Sequence, residues 1–356
     1  MWKTCVGGPT GRTQINRAPL LLLLLRISPV INSSLQAIGG VEETRAPLGV
    51  SELDSPAPAQ TQLQPRPAVR PTARVLLRAC RPRQWSKNLL VLAAPCAAGV
   101  IGRPQVAAQV AGAFLVLCLV SSATYLVNDV RDREQDRRHP RKRLRPVAAG
   151  EISPRLALLL AAALAFVGIA GATAITPGLG AVACAYLALT ASYSLWLRRV
   201  VVADILAIAA GFVLRAVAGG VATDIYLSRW FVVVTACCAI YLVAGKRYAE
   251  LRDHAESAPT RPTLRRYSPG SLRLILFAAG GLATVAYTGW AFTRPSHVVW
   301  YALSIVALLA WLVRYALLIG AGAGQAPEEL ILRDRTLLAL SVTWSVLFLG
   351  GVYVGS

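Results

Sequence analysis

The stretch Asn128–Pro146 reads NDVRDREQDRRHPRKRLRP and follows directly on an apolar segment ending Tyr125, Leu126 and Val127. A switch this abrupt marks a membrane helix meeting water. The stretch carries four acidic and eight basic residues. On a helix, Asp129, Asp132 and Asp136 sit at i, i+3 and i+7, so at ~100° per residue their carboxylates fall within roughly 60° of one another. Three unneutralised acids on one face repel. A hard cation relieves that repulsion, and Mg²⁺ held by a few carboxylates takes its remaining ligands from water and substrate phosphates. The basic run Arg141, Lys142, Arg143 and Arg145 has two readings at this point, a phosphate-binding loop or a solvated cytoplasmic loop obeying the positive-inside rule. That rule does not account for the aspartates, since acids contribute little to orientation.

The surrounding chain explains why this boundary exists. Of 356 residues, 55% are hydrophobic and only 15% charged, the balance of a polytopic membrane protein. A net charge of +20 raises the question of nucleic acid. The charge lies between apolar segments, with no basic domain of interleaved aromatics, so no nucleic-acid partner is expected. Anionic headgroups of the lipid bilayer and a phosphorylated substrate fit better. Seven cysteines are scattered, mostly within apolar segments and never as CxxC, which excludes a zinc site and a disulfide framework. His139, His254 and His297 are too dispersed for a triad.

Residues 1–75 differ from the rest, with SPAPAQTQLQPRPAVRPTAR and one short leucine run, Leu20 to Leu25. Six leucines do not cross ~30 Å of hydrocarbon. Arg26 cuts the run short and no small-residue cleavage site follows, which argues against a signal peptide. This segment is expected to be a disordered cytoplasmic tail without a catalytic role. The catalytic domain is expected over 76–356. Apolar segments recur at about 87–102, 107–127, 153–174, 179–197, 201–222, 229–245, 271–293, 297–319 and 336–354, which predicts an all-α bundle of about nine transmembrane helices. Pro95 and Gly99 interrupt the first. Loops 129–152, 198–199, 246–270 and 320–335 carry eight, two, six and two Lys or Arg residues, whereas the opposite loops hold little beyond Arg103, Arg229 and Arg294. The rich loops and the N-terminus are therefore expected on the cytoplasmic side.

A second polar centre opens at Gly245, GKRYAELRDHAESAPTRPTLRRYSPG. Lys246, Glu250 and Asp253 share one helical face, either as a helix end dressed with ion pairs or as the second half of a site shared with the aspartate loop. Within the spans, Asp204 and Arg215 lie on one face of the fifth, close to three turns apart and out of direct reach. Arg314 is expected to snorkel toward the cytoplasmic end of the eighth. Before the first span, RPRQWSKN combines Arg83 and Lys87 with Trp85, an interface anchor, and Lys87 and Asn88 have two readings, part of that anchor or contacts to a phosphate.

NDVRDREQD resembles the NDxxDxxxD motif of UbiA-type intramembrane prenyltransferases, and RPRQWSKN strengthens the likeness, which runs from about Arg81 to the C-terminus. The resemblance implies nine helices whose paired aspartate-rich loops bind Mg²⁺-diphosphate above a lipid-facing cavity. Ordinary members carry DxxxD in the second loop, whereas here Lys246 and Glu250 stand in its place. A cation there weakens a second metal site and supplies a phosphate-binding charge. With GKRYAEL, RPRQWSKNLLVLAAP and LRDR at 332–335, this departure is similar to the decaprenyl-phosphate phosphoribosyltransferase branch of mycobacteria and relatives. That branch implies transfer of phosphoribose from 5-phosphoribosyl 1-diphosphate to a polyprenyl (decaprenyl) phosphate, for cell-wall arabinan in arabinogalactan, at the cytoplasmic face of a bacterial inner membrane. The implied site comprises Asp129, Asp132, Asp136 and Glu250 as catalytic residues, and Asn128 with the three aspartates as Mg²⁺ ligands. Arg83, Lys87, Asn88, Asn128, Arg141, Lys142, Arg143, Arg145, Lys246, Arg247 and Tyr248 make up its substrate contacts. The sequence is compatible with a homo-oligomer and fixes no state. A prenyltransferase proper, using a prenyl diphosphate and an aromatic or other acceptor, is the competing enzyme. A transporter or flippase is the competing class, against which stands the clustering of charge at one membrane face.

Overall fold

The computed structural model describes residues 71–253, 266–293, 298–323 and 327–354. Among these, all regular structure is helical. Eight helices are long and apolar enough to cross a membrane. The expected tail lies outside the described residues up to 70, and the chain is already helical at α1, Ala73–Ala79, so the boundary drawn at 75 falls inside an element. The first expected span is helical but broken, a 3₁₀ helix over Pro82–Leu92 followed by α2, Ala93–Ala97. Gly99 takes a left-handed φ of 72° just beyond it.

The remaining spans are α3 (Pro104–Arg131), α5 (Pro154–Ile175), α6 (Pro177–Leu195), α7 (Val201–Ala222), α8 (Arg229–Asp253), α9 (Pro269–Phe292), α10 (Val298–Gly320) and α12 (Arg335–Tyr353). Two short helices lie in connections between spans, α4 (Arg133–Arg137) and α11 (Pro327–Arg333). Local chemistry sets several starts. Proline opens α3, α5, α6 and α9, where its missing N–H has no helical partner to lose. Ser153 and Thr176 accept from Leu156 and Leu179 at 3.3 and 3.0 Å, and Ser268 forms a reciprocal cap with Ser271. Asp334, in the LRDR stretch, accepts from Leu337 N at 2.8 Å and so caps α12. Its other partner is Arg314, at 2.7 Å. The arginine expected to snorkel is thus fixed by an ion pair.

Packing proceeds through two main clusters. Val116, Leu117 and Val120 of α3 meet Ala172 of α5, Ala183 and Tyr186 of α6 and Ala218 of α7. Tyr241 of α8, Leu276 of α9, Leu312 and Tyr315 of α10 and Leu337 of α12 form the other. Lipid is as apolar as these side chains, so close backbone approach rather than water exclusion holds such a bundle together. Gly219 shows the point: a Cβ there would run into the carbonyl of Val91, so α7 touches the broken first segment backbone to backbone. Large side chains such as Leu159, Phe166, Leu274 and Phe277 face outward and suit a hydrocarbon surround.

Candidate active site

The aspartate loop is not one continuous helix. α3 ends at Arg131, Asp132 leaves helical geometry at φ −93° and ψ 10°, and α4 resumes at Arg133. That break separates the three acids. Asp129 and Asp136 are both buried and share Arg145, whose Nη1 lies 3.2 Å from Asp129 and 2.6 Å from Asp136. Asp129 also pairs with Arg81. Asp132 turns away to Arg198, at 3.3 Å. The expectation of three carboxylates converging on one face is therefore corrected to a pair plus one outlier, because the turn at Asp132 resets the periodicity. Among the described residues no three acidic, His or Cys side chains gather closely enough to ligate a metal.

One atom of the pair still fits a cation. Oδ2 of Asp129 is buried and has no hydrogen-bond partner, which is costly for a carboxylate oxygen unless a donor or metal approaches it. Asn128, expected as a ligand, accepts from Ser194 Oγ at 2.7 Å through its own Oδ1. Ser194 thereby ties the loop to the end of α6.

Arg81 joins the site without having been expected there, although it heads RPRQWSKN. Its backbone is left-handed at φ 55°, its guanidinium lies 5.2 Å from the Tyr125 ring centroid, and it reaches Asp129. Burial lowers its ionisation below the usual arginine range, and Asp129 opposes the shift. A non-glycine residue held at positive φ beside a buried acid indicates a position fixed by its contacts.

The second polar centre divides. Arg247 is 1% exposed. It donates from Nε and Nη2 to Asp204 at 2.5 and 3.0 Å and from Nη1 to Glu250 at 2.6 Å. A guanidinium so engaged is a clamp between α7 and α8, which corrects its assignment as a substrate contact. Glu250 is positioned by it. Tyr193 completes the clamp by donating to Asp204 at 2.9 Å. Asn88 is corrected likewise, being buried and bonded to Arg215 at 2.9 Å, with Cys118 and Ser121 on its amide. Arg215 reaches Tyr186 at 2.6 Å as well and not Asp204. Tyr248 packs between two apolar clusters, with the Arg273 guanidinium 5.8 Å from its ring, and is also a structural residue. Asp253's side chain lies outside the described residues. Arg83, Arg141 and Arg143 are exposed and Lys142 half-buried.

Lys87 and Lys246, distant in sequence, act electrostatically on one carboxylate, that of Glu328. Lys87 Nζ lies 3.3 Å from Glu328 of α11 and donates to Gln84 at 2.7 Å. Burial raises the Glu328 carboxyl, but Lys87, a backbone hydrogen bond and Lys246 together outweigh it and hold the group below its ordinary range. Glu328 carries no signal in the sequence, since nothing in PEEL marks a glutamate for a site. A cavity of about 680 Å³ is bounded by the first segment, α7, α8, α9, α10 and α12 and lined by Tyr287, Trp290, Trp311, Trp344 and Phe348 among others. Along α8 its lining runs from Trp230 to Leu242, which is about 18 Å of helix.

Residues 89–351 match the UbiA prenyltransferase family. The chain is 42% identical over 275 residues to a decaprenyl-phosphate phosphoribosyltransferase of Mycobacterium tuberculosis, covering 76% of this chain and 91% of that protein. It is 40% identical over 289 residues to the protein so named in Corynebacterium glutamicum, covering 78% and 87%. Among solved structures, a UbiA homologue from Archaeoglobus fulgidus bound to DMAPP and Mg²⁺ superposes with a TM-score of 0.60 at 17% identity, covering 78% of this chain and 98% of that one. The same homologue bound to GPP and Mg²⁺ gives a TM-score of 0.58 at 18% identity, with the same coverage. At that identity the likeness speaks to the fold, which agrees with the helical bundle. By family match and by its curated relatives, this multi-pass membrane chain belongs to the UbiA prenyltransferase family.

Proposed function

We propose that the chain transfers the 5-phosphoribosyl group of 5-phosphoribosyl 1-diphosphate to decaprenyl phosphate, releasing diphosphate and forming decaprenylphosphoryl 5-phosphoribose for arabinan synthesis. The observation that carries the reading is the presence of two separate sets of cations. Arg81 and Arg145 lie on Asp129 and Asp136, and Lys87 and Lys246 face Glu328. A reaction between a sugar diphosphate and a lipid phosphate calls for two such anion sites, whereas transfer from a prenyl diphosphate to an uncharged acceptor calls for one. The names of the curated relatives agree.

Asp129 and Asp136 are the residues that would hold Mg²⁺, the unpartnered Oδ2 of Asp129 being the point of entry. When bound, the ion neutralises charge that builds on the departing diphosphate. Arg145 and Arg81 are within reach to pass from carboxylate to phosphate oxygens. Glu250, fixed by Arg247, orients the facing side of the site. A lipid phosphate oxygen attacks ribosyl C1, a C–O bond forms there, and the bond to diphosphate breaks with its electron pair leaving on oxygen. No general base is required, because a phosphate is ionised at neutral pH. The cavity holds the prenyl tail and excludes water from C1. The charge-rich face is the cytoplasmic one, where a soluble sugar diphosphate is available.

Membranes containing the protein, given Mg²⁺, decaprenyl phosphate and donor labelled in the ribose, move label into the lipid phase. Label that moves only from a labelled prenyl diphosphate would replace this reading with prenyl transfer.

A further inference from the structure

Lys87 and Lys246 are set apart from the acid pair by what lies under them. Leu90 follows Lys87 by three residues and Leu242 precedes Lys246 by four, and both leucines line the apolar cavity. Each lysine thus stands about one helical turn beyond the cavity wall, on two different elements that bound it. Glu328 lies 3.3 Å from Lys87 Nζ, and the charge of Lys246 also acts on its carboxyl. The acid pair is bonded instead to Arg81 and Arg145. Two ammonium groups at the mouth of an apolar cavity match a molecule with a long hydrocarbon tail and an anionic head. The carboxylate of Glu328 already stands where that head's charge would go.

We propose that Lys87 and Lys246 bind the phosphomonoester head of the polyprenyl phosphate acceptor, whose tail fills the cavity, and that Glu328 is the counter-ion this head displaces. The assignment rests on a lipid phosphate being the acceptor and adds where it docks. It also gives the lysine in the second loop a definite role. The cation that replaces the usual acid receives the acceptor, while the donor diphosphate stays with Asp129 and Asp136. Point charges on flexible stems suit this role, since the head must slide in from the bilayer, whereas planar guanidinium forks suit the donor.

The test uses the full chain in detergent micelles with EDTA present and no sugar donor. Farnesyl phosphate and farnesol share a tail and differ in the head, and their binding is read from the fluorescence of the cavity tryptophans Trp290, Trp311 and Trp344. Wild type is expected to bind the phosphate at least roughly tenfold more tightly than the alcohol, the scale of one charge-assisted hydrogen bond. In Lys87→Met and Lys246→Met the two ligands bind within about twofold of each other, with unchanged farnesol affinity showing that the cavity is intact. Lys87→Gln and Lys246→Gln serve the same comparison where the methionine variants do not accumulate. Glu328→Gln tightens farnesyl phosphate several-fold and leaves farnesol alone. A phosphate preference that survives in both lysine variants, or that collapses only in Arg81 or Arg145 variants, overturns the proposal. Failure of the underlying reading looks different: wild-type membranes would attach no phosphoribosyl label to any lipid phosphate, whatever the binding data.

Discussion

Asp204 and Arg247 form the most completely buried ion pair among the described residues, at 0% and 1% side-chain exposure, and their removal has a calculable pattern. Asp204→Asn leaves Arg247 with Glu250 at 2.6 Å, so the guanidinium keeps one acid. The expected cost lies near the lower end of the ~3–5 kcal/mol for breaking a buried pair. Arg247→Met leaves Asp204 as a carboxylate with only Tyr193 donating to it, at 2.9 Å. That variant should approach the upper end. In Asp204→Asn with Arg247→Met no buried charge is stranded, and Glu250, 17% exposed, turns to water. The double variant should then be about 2 kcal/mol or more better than the sum of the singles. Reversible unfolding in mixed detergent micelles, followed by tryptophan fluorescence, measures all three. Additive losses, or a single-variant cost below about 1 kcal/mol, would refute the clamp and return Arg247 to the pool of substrate contacts.

Asp129→Ala and Asp136→Ala should each reduce transfer by about a hundredfold or more, the scale seen when one preorganised electrostatic contact is lost, while protein level in membranes persists. Asp132→Ala, whose carboxylate faces Arg198, should cost far less in the same assay. EDTA should stop turnover and Mg²⁺ restore it, and turnover that continues under chelation would contradict the metal assignment. Because the Glu328 carboxyl is held below its ordinary value of 4.5, its ion pair with Lys87 is complete above that pH and is lost as pH falls through the depressed folded value. Thermal stability of wild type should therefore show an acid-side loss below about pH 4.5 that Glu328→Gln lacks, with no difference between the two in slope from about pH 6 to 8. Gly219→Val forces a side chain into the Val91 carbonyl and should destabilise by about 1–3 kcal/mol, read in the same unfolding assay.

The bundle is legible in the sequence because hydrocarbon imposes its own arithmetic: some twenty apolar residues per span and cationic loops on one side. Pro95 and Gly99 mark the broken first segment. The site is legible in residue type more than in geometry. Helical periodicity extrapolated from Asp129 groups three acids, but it presumes an unbroken helix, and the turn at Asp132 sends that carboxylate to Arg198. Arg247 and Asn88 mislead for a related reason. Polar residues at a membrane boundary serve substrate or structure equally well until their partners are known, and those partners, Asp204 and Arg215, lie 43 and 127 residues away. Glu328 has no signal at all, because its meaning comes from where α11 folds back.

The acids and cations of the site are one another's counter-charges. Asp129 and Asp136 are countered by Arg81 and Arg145, and Glu328 by Lys87 with Lys246 near it. Each set is close to neutral as it stands, which is what a low-dielectric boundary requires of groups removed from water. A donor that brings both a divalent cation and a diphosphate would exchange partners: Asp129 and Asp136 would hold the metal and the arginines the phosphate oxygens, so no buried charge is left without a counter-charge. A lipid phosphate does the same at the other set by replacing one carboxylate with another anion. Neither ligand alone should therefore face a large electrostatic barrier, whereas a metal without diphosphate must displace Arg145 from two carboxylates at once. Mg²⁺ affinity in the absence of donor should accordingly be weak, and Arg145→Met should strengthen it while weakening retention of the donor diphosphate.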